Sequence, residues 1–222
     1  MDRLPGIKAP NLPVAPTTYV QSFFNIFADV LRLYFNRIDG AVNKLIGTNG
    51  GRYIQSPHIS ASYNADQYAT ADNTPTLVLW DTLESGSGFT LNPSGTATAL
   101  HAGVYKIDYS LELSNTNNTA HDVWVWLEVN GVILDRSNSK YTIQARKSAG
   151  APTCIVAYSS ITFAINAGDE IGLFWVTDKA YNPVGPVDGM YMLYHAAYTT
   201  PFVAPAVPSA IGSIVFVSAL TT

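Results

Sequence analysis

Charge is scarce in this sequence. Of 222 residues, 13% are Asp, Glu, Lys or Arg, while 47% are hydrophobic. So apolar a composition excludes an intrinsically disordered chain. So few charges also suit a well-solvated monomer poorly and fit a chain that buries surface between subunits. Cysteine is scarcer still: Cys154 stands alone, which excludes an intramolecular disulfide framework. No run approaches the roughly 20 apolar residues of a membrane span. The start, MDRLPGIKAPN, lacks the apolar segment of a secretory signal. The expectation is a chain made and kept in a cytoplasm until something releases it, without insertion into a membrane.

Residues that carry chemistry are also sparse. His58, His101, His121 and His195 lie far apart, with none of the spacings that hold a metal. Ser85-Gly-Ser87-Gly88 is not the G-x-S-x-G of a nucleophile elbow. His121-Asp122 are neighbours at a strand entry, and neighbours in a strand face opposite ways. Cys154 opens an apolar strand and reads as a small core residue. Asp169 and Glu170 could bind a cation, and a polar turn explains them as well; the sequon at Asn117 has no secretory context. The reading is a non-enzyme that needs neither cofactor nor metal.

The few charges are unevenly placed. Residues 1–52 hold six basic and three acidic side chains, and the remainder six basic and thirteen acidic. An acidic C-terminal portion argues against a nucleic-acid partner.

Strand pattern is what the sequence has in plenty. In GVYKIDYSLELSN, from Gly103, residues Tyr105, Ile107, Tyr109, Leu111 and Leu113 alternate with Lys106, Asp108, Ser110, Glu112 and Ser114. Strict period two marks a half-buried strand. Val123, Val125, Leu127 and Val129 make a second strand, closed by Asn130-Gly131, a pair that tolerates positive φ at both positions of a type I′ hairpin. Trp124 and Trp126 fall on the outer face of this strand. A strand apolar on both faces is buried on both, and another subunit is one candidate for the second partner. Further strands are expected at 77–80, 89–91, 141–145, 155–165, 171–175, 190–198 and 211–220, with turns at 85–88, 92–95 and 167–169. Eight to ten strands with no helix between them imply a sandwich or jelly roll.

The N-terminal part is different. Residues 1–16 carry Pro5, Pro10, Pro13 and Pro16, which favour an extended arm. Residues 17–46 read as a helix, with Thr18 and Gln21 as a capping box. Phe24, Phe27, Leu31, Tyr34, Ile38, Ala41 and Leu45 follow the 3,4 spacing of a coiled-coil seam, and Phe23, Ile26 and Val30 widen it. A coiled coil and a single amphipathic helix both fit. Residues 47–73, beginning GTNGG, read as a linker, and residues 74–222 as the sheet domain.

Residues 74–220 resemble the TNF-like jelly roll shared with complement-type globular heads. The resemblance lies in FTLNPSGTATALHAGVYKIDYSLELS, DVWVWLEVNGVIL, AINAGDEIGLFWV and a final apolar strand, in that order. It implies a homotrimer with aromatic residues on the threefold axis, a role for Trp124 and Trp126 or for Tyr105 and Tyr109. LPVAPTTYV, LRLYFNRID and the ending APAVPSAIGSIVFVSAL resemble virion structural proteins of tailed phages, notably those of marine bacteria. Their pattern implies a head decoration or short fibre, assembled in the host cytoplasm and contacting major capsid or tail proteins. Phe23, Phe24, Phe27, Leu31 and Tyr34 would anchor it, with the jelly roll outward. The alternative is a tail-associated receptor-binding protein, in which Tyr181, Tyr191 and Tyr194 contact host surface glycan. A virion-borne glycan-degrading enzyme ranks last, because paired carboxylates across a groove are not evident.

Overall fold

The computed structural model describes residues 10–14, 16–46, 56–182 and 188–220. The chain divides into two compact units, residues 1–54 with 218–222, and residues 55–217.

The first unit contains one helix, α1 (Gln21–Ile46). It starts later than the capping box at Thr18 suggests, because the Val20 carbonyl is the first to accept helical hydrogen bonds, from the Phe23 and Phe24 amides. At about 100° per residue, its apolar side chains spread over about 200° of the circumference. Phe23, Phe27, Val30, Leu31, Tyr34 and Ile38 are half-buried along the middle of that arc, and Ala41 is buried. Its two margins are exposed: Ile26 and Leu33 on one side, the latter 58% exposed, and Phe24, Phe35 and Val42 on the other. Described residues of the arm, 10–14 and 16, have no regular structure. Residues 1–9 and the break expected at 47–51 lie outside the described residues.

The second unit is a two-sheet antiparallel sandwich. Its strands are β1 (His58–Tyr63), β2 (Gln67–Tyr68), β3 (Thr76–Leu77), β4 (Thr82–Ser87), β5 (Phe89–Leu91), β6 (Ala97–Ala99) and β7 (Gly103–Asn115). These are followed by β8 (His121–Val129), β9 (Val132–Ile133), β10 (Ser139–Ile143), β11 (Thr153–Ile165), β12 (Glu170–Thr177), β13 (Met190–Met192) and β14 (Ala210–Ser218). One sheet runs β2-β13-β7-β14-β1-β4, with β11 also on β7; the other runs β10-β8-β12-β6-β5, with β3 on β12 and β9 on β8. The long strands cross repeatedly between sheets: β7 lies in the first, β8 and β10 in the second, β11 in the first, β12 in the second and β14 in the first.

The alternation in β7 sets the core. Tyr105, Ile107, Tyr109, Leu111 and Leu113 are all buried, facing Val123, Val125, Leu127, Leu173 and Trp175 of the other sheet in one cluster. Thirteen consecutive residue pairs join β7 to β11, from Gly103↔Ile165 to Asn115↔Thr153. The hairpin after β8 forms as its sequence predicts, with φ of 53° at Asn130 and 74° at Gly131.

Several expectations fail: Cys154, expected as a small core residue, is exposed. Residues 58–68 are not linker: β1 lies between β14 and β4, and β2 pairs with β13. The inward residues of β1 include Ile59 and Ala61, and serines lie between, so its apolar content is too low to stand out. Likewise Ser85-Gly86-Ser87 ends β4 rather than forming a turn, paired with Ser60, Ile59 and His58 of β1. The strand expected at 190–198 is only three residues long; beyond it, single bridges join His195 to Val207 and Tyr198 to Ala204.

Candidate functional site

The side chains singled out in the sequence fall into four places. Tyr105 and Tyr109 lie inside the sandwich of one chain. Tyr105 meets Phe89 and Phe216 edge-on, at 5.2 and 5.5 Å between ring centroids, and its hydroxyl donates to the His101 carbonyl at 2.9 Å. Burial pushes the Tyr109 phenol well above the ordinary tyrosine range. Both rings are fully covered without a second subunit.

Trp124 and Trp126 stand on the outer face of β8, as their spacing requires. Trp126 is nonetheless only 8% exposed. Phe174, its register partner on β12, stacks on it at 6.2 Å, and its indole N–H donates to Glu128 Oε1 at 2.9 Å. The Lys140 ammonium sits 5.1 Å from the Trp124 ring, a cation–π contact. The outer apolar positions of β8 thus find partners within the chain, across strands some 50 residues apart in sequence for Trp126 and Phe174.

Tyr181 and Tyr191 come together, and Tyr68 joins them. Tyr68 on β2 is the register partner of Tyr191 on β13. Their rings are 5.7 Å apart with 22° between planes. Tyr181 leans on both, at 5.3 Å from Tyr68 and 4.8 Å from Tyr191. Asp66 organises the edge of this group: its Oδ2 accepts from the Tyr68 hydroxyl at 3.1 Å and its Oδ1 from the Tyr194 amide at 2.8 Å. Burial, the Asp66 charge and that hydrogen bond push the Tyr68 phenol up to about 12. Burial likewise raises Tyr191. Tyr194 is half-buried and reaches Asp66 through its main chain, while the Tyr198 ring pairs with Phe202 at 6.2 Å. Tyr68 and Asp66 escape a sequence reading because they lie in the stretch read as linker and meet Tyr191 only through strand pairing.

His121 has a richer setting than its sequence neighbourhood suggests. Its Nδ1 lies 3.0 Å from Asp178 Oδ1 and its Nε2 3.0 Å from Thr119 Oγ1. A carboxylate, an imidazole and a hydroxyl in line resemble a nucleophile relay. However, Thr119 Oγ1 donates to Asn117 Oδ1 at 2.9 Å. The hydroxyl has one proton, and Asn117 Oδ1, which can only accept, competes with the imidazole for it. Beside it, Asp122 is held below the usual carboxylate range by Lys140 at 2.7 Å and by the Thr142 hydroxyl at 2.6 Å. These contacts tie β8 to β10. Among the described residues, no group of three or more His, Cys, Asp or Glu is placed to hold a metal ion.

The helix carries the fourth group. Phe23, Phe27, Leu31 and Tyr34 are half-buried and Phe24 is exposed. Phe23 contacts Phe24 edge-on at 5.3 Å and stacks on Phe27 at 6.3 Å, while Tyr19 stacks on Phe24 at 5.1 Å.

No family model matches the sequence, and no curated protein matches it. Among solved structures, the chain is similar to that titled "Structure of Eiger TNF from S. frugiperda", with a TM-score of 0.44 and 14% identity, covering 75% of this chain and 94% of that one.

Proposed function

We propose that this chain is a non-enzymatic structural protein of a tailed-phage virion. In this reading it is a homotrimer whose sheet domain is a TNF-like jelly roll facing outward. The N-terminal arm and helix attach it to major capsid or tail proteins, as a head decoration or short fibre. The observation that carries the reading is the apolar arc of α1. An arc of about 200° with both margins exposed is wider than one packing partner covers. Tyr34 and Phe27 sit along its middle and Phe24 at its margin, which suits a helix that packs on copies of itself and on a further protein.

Trimerisation is supported by the outer face of the first sheet. Val156 and Tyr158 of β11 and Ile211, Val215 and Val217 of β14 all project there and are exposed, Tyr158 by 58%. Exposed apolar side chains grouped on one face suit burial against another copy. In this reading the interface lies on the first sheet rather than on Trp124 and Trp126. The crossing of long strands between sheets supports the jelly-roll reading. The test is sedimentation of residues 55–222 expressed alone. A trimer is expected, and a clean monomer overturns trimerisation through the sheet domain.

A further inference from the structure

The three-tyrosine group is placed where packing alone does not require it. Tyr68 is 42% exposed, and Tyr181 and Tyr191 are half-exposed beside it. Two of the three rings sit on paired strands, and the amide of the third, Tyr181, donates to the Met190 carbonyl of β13. We propose that Tyr68, Tyr181 and Tyr191, with Asp66 at their edge, bind a neutral pyranose unit of a polysaccharide.

Four observations select this class of ligand. First, Tyr68 lies within about 20° of the plane of each of the other two rings, at 20° and 22°. Tyr181 and Tyr191 are tilted by 40° to each other, and the part of each ring that this stack leaves exposed is aromatic surface of the kind that covers the C–H face of a sugar ring. Second, that surface is built of phenols, which carry no charge at neutral pH. Third, Asp66 supplies carboxylate oxygens at the rim. Each already accepts one hydrogen bond, from Tyr68 or Tyr194, and each keeps a further lone pair for a sugar hydroxyl. Fourth, the same carboxylate, on a portion of the chain with thirteen acidic and six basic residues, repels uronic acids, phosphates and nucleic acid. A quaternary ammonium is disfavoured by geometry. Its cage needs rings set around an open space, whereas these centroids lie only 4.8 to 5.7 Å apart. The proposal stands whether or not the chain belongs to a virion.

The full-length protein is tested by saturation-transfer NMR with maltohexaose, cellohexaose and mannohexaose, and with oligogalacturonate and choline as charged probes. At least one neutral probe is expected to bind, and neither charged probe. Tyr68→Ala and Tyr181→Ala should each weaken that binding about tenfold, the scale of one lost ring contact. Tyr68→Trp, which keeps an aromatic face, should preserve it, and so should Leu100→Ala on an exposed side chain outside the group. Circular dichroism melts confirm that each variant is folded. The proposal is overturned if none of the three neutral probes binds, if binding survives both tyrosine-to-alanine substitutions, or if choline or oligogalacturonate binds equally well. It is also overturned if Tyr68→Ala changes the sedimentation coefficient of the native assembly, because a second copy then covers the rings.

Discussion

The helix and the sandwich solve the problem of apolar surface in opposite ways. In residues 55–217 a core of large side chains finds partners in the same unit: Trp175, Tyr105, Leu111 and Leu113 are wholly buried and the outward Trp126 is covered by Phe174, while Val156, Tyr158, Ile211, Val215 and Val217 stay exposed on the outer face of the first sheet. Among the described side chains of α1, Ala41 alone is buried, while Phe24, Ile26, Leu33, Phe35 and Val42 are exposed. Similar hydrophobic content therefore has different consequences. Sheet pairing brings residues from distant parts of the chain onto a shared core, whereas one helix can bury only the stripe that a neighbour covers. The sandwich has a buried core of its own, and α1 leaves apolar side chains exposed on both margins of its arc.

The largest effect that separates the two regions comes from truncating a core residue. Leu113→Ala, at a wholly buried position on β7, should lower stability by about 2–5 kcal/mol, read from the urea midpoint. Leu33→Ala on the exposed margin of α1 should change it by less than about 1 kcal/mol. Equal losses at both positions would erase the contrast.

Next in size is a packing test of the sandwich end. A Cβ at Gly212 would lie 2.8 Å from Cη2 of the Trp80 ring. Gly212→Ala should therefore cost about 1–3 kcal/mol, as overpacking does. The same substitution at Gly40 on the helix, where a Cβ meets nothing within 4 Å, should be stabilising by up to about 1 kcal/mol. Thermal melts of the two variants should shift in opposite directions.

The smallest effects are pH-dependent. The folded Tyr68 phenol is raised from 10.0 to about 12, so the folded state holds its proton more tightly than the unfolded one. Its contribution to stability is complete below pH 10 and is lost as pH rises through about 12. Phenolate absorbance of the folded protein minus that of Tyr68→Phe should show a step near pH 12, and a step near pH 10 would contradict the Tyr68–Asp66 contact. Asp122 behaves in the reverse sense. Its pKa is lowered from 3.8, so its contribution is present above that value and is lost as pH falls through the lower folded value. Lys140→Met should reduce the acid sensitivity of the β8–β10 pair, measured by hydrogen exchange as pH is taken below 3.8.

Local signals account for what the sequence reveals. The alternation from Tyr105 to Leu113, the Asn130-Gly131 hairpin and the helical periodicity of residues 21–46 depend on residues close in the chain, and the strand, the hairpin and the helix each form there. What stays hidden depends on distant pairing or weak composition. β1 has small residues, and β4 ends in Ser85-Gly86-Ser87, so neither looks apolar enough to be a strand. Trp126 reads as a side chain in need of a partner until strand register brings Phe174 beside it. Tyr68 reads as a scattered tyrosine until β2 pairs with β13. The candidate site is therefore half legible: Tyr181 and Tyr191 stand out in an aromatic stretch, and their companions Tyr68 and Asp66 do not.

The division of roles between helix and sandwich is tested most directly by incorporation into particles. Full-length protein and residues 55–222 are supplied in turn during virion assembly, and the purified particles are quantified by mass spectrometry. The account predicts that the truncated chain remains folded and is absent from particles. Incorporation of the truncated chain at the full-length level would show that attachment runs through the sandwich and would contradict it.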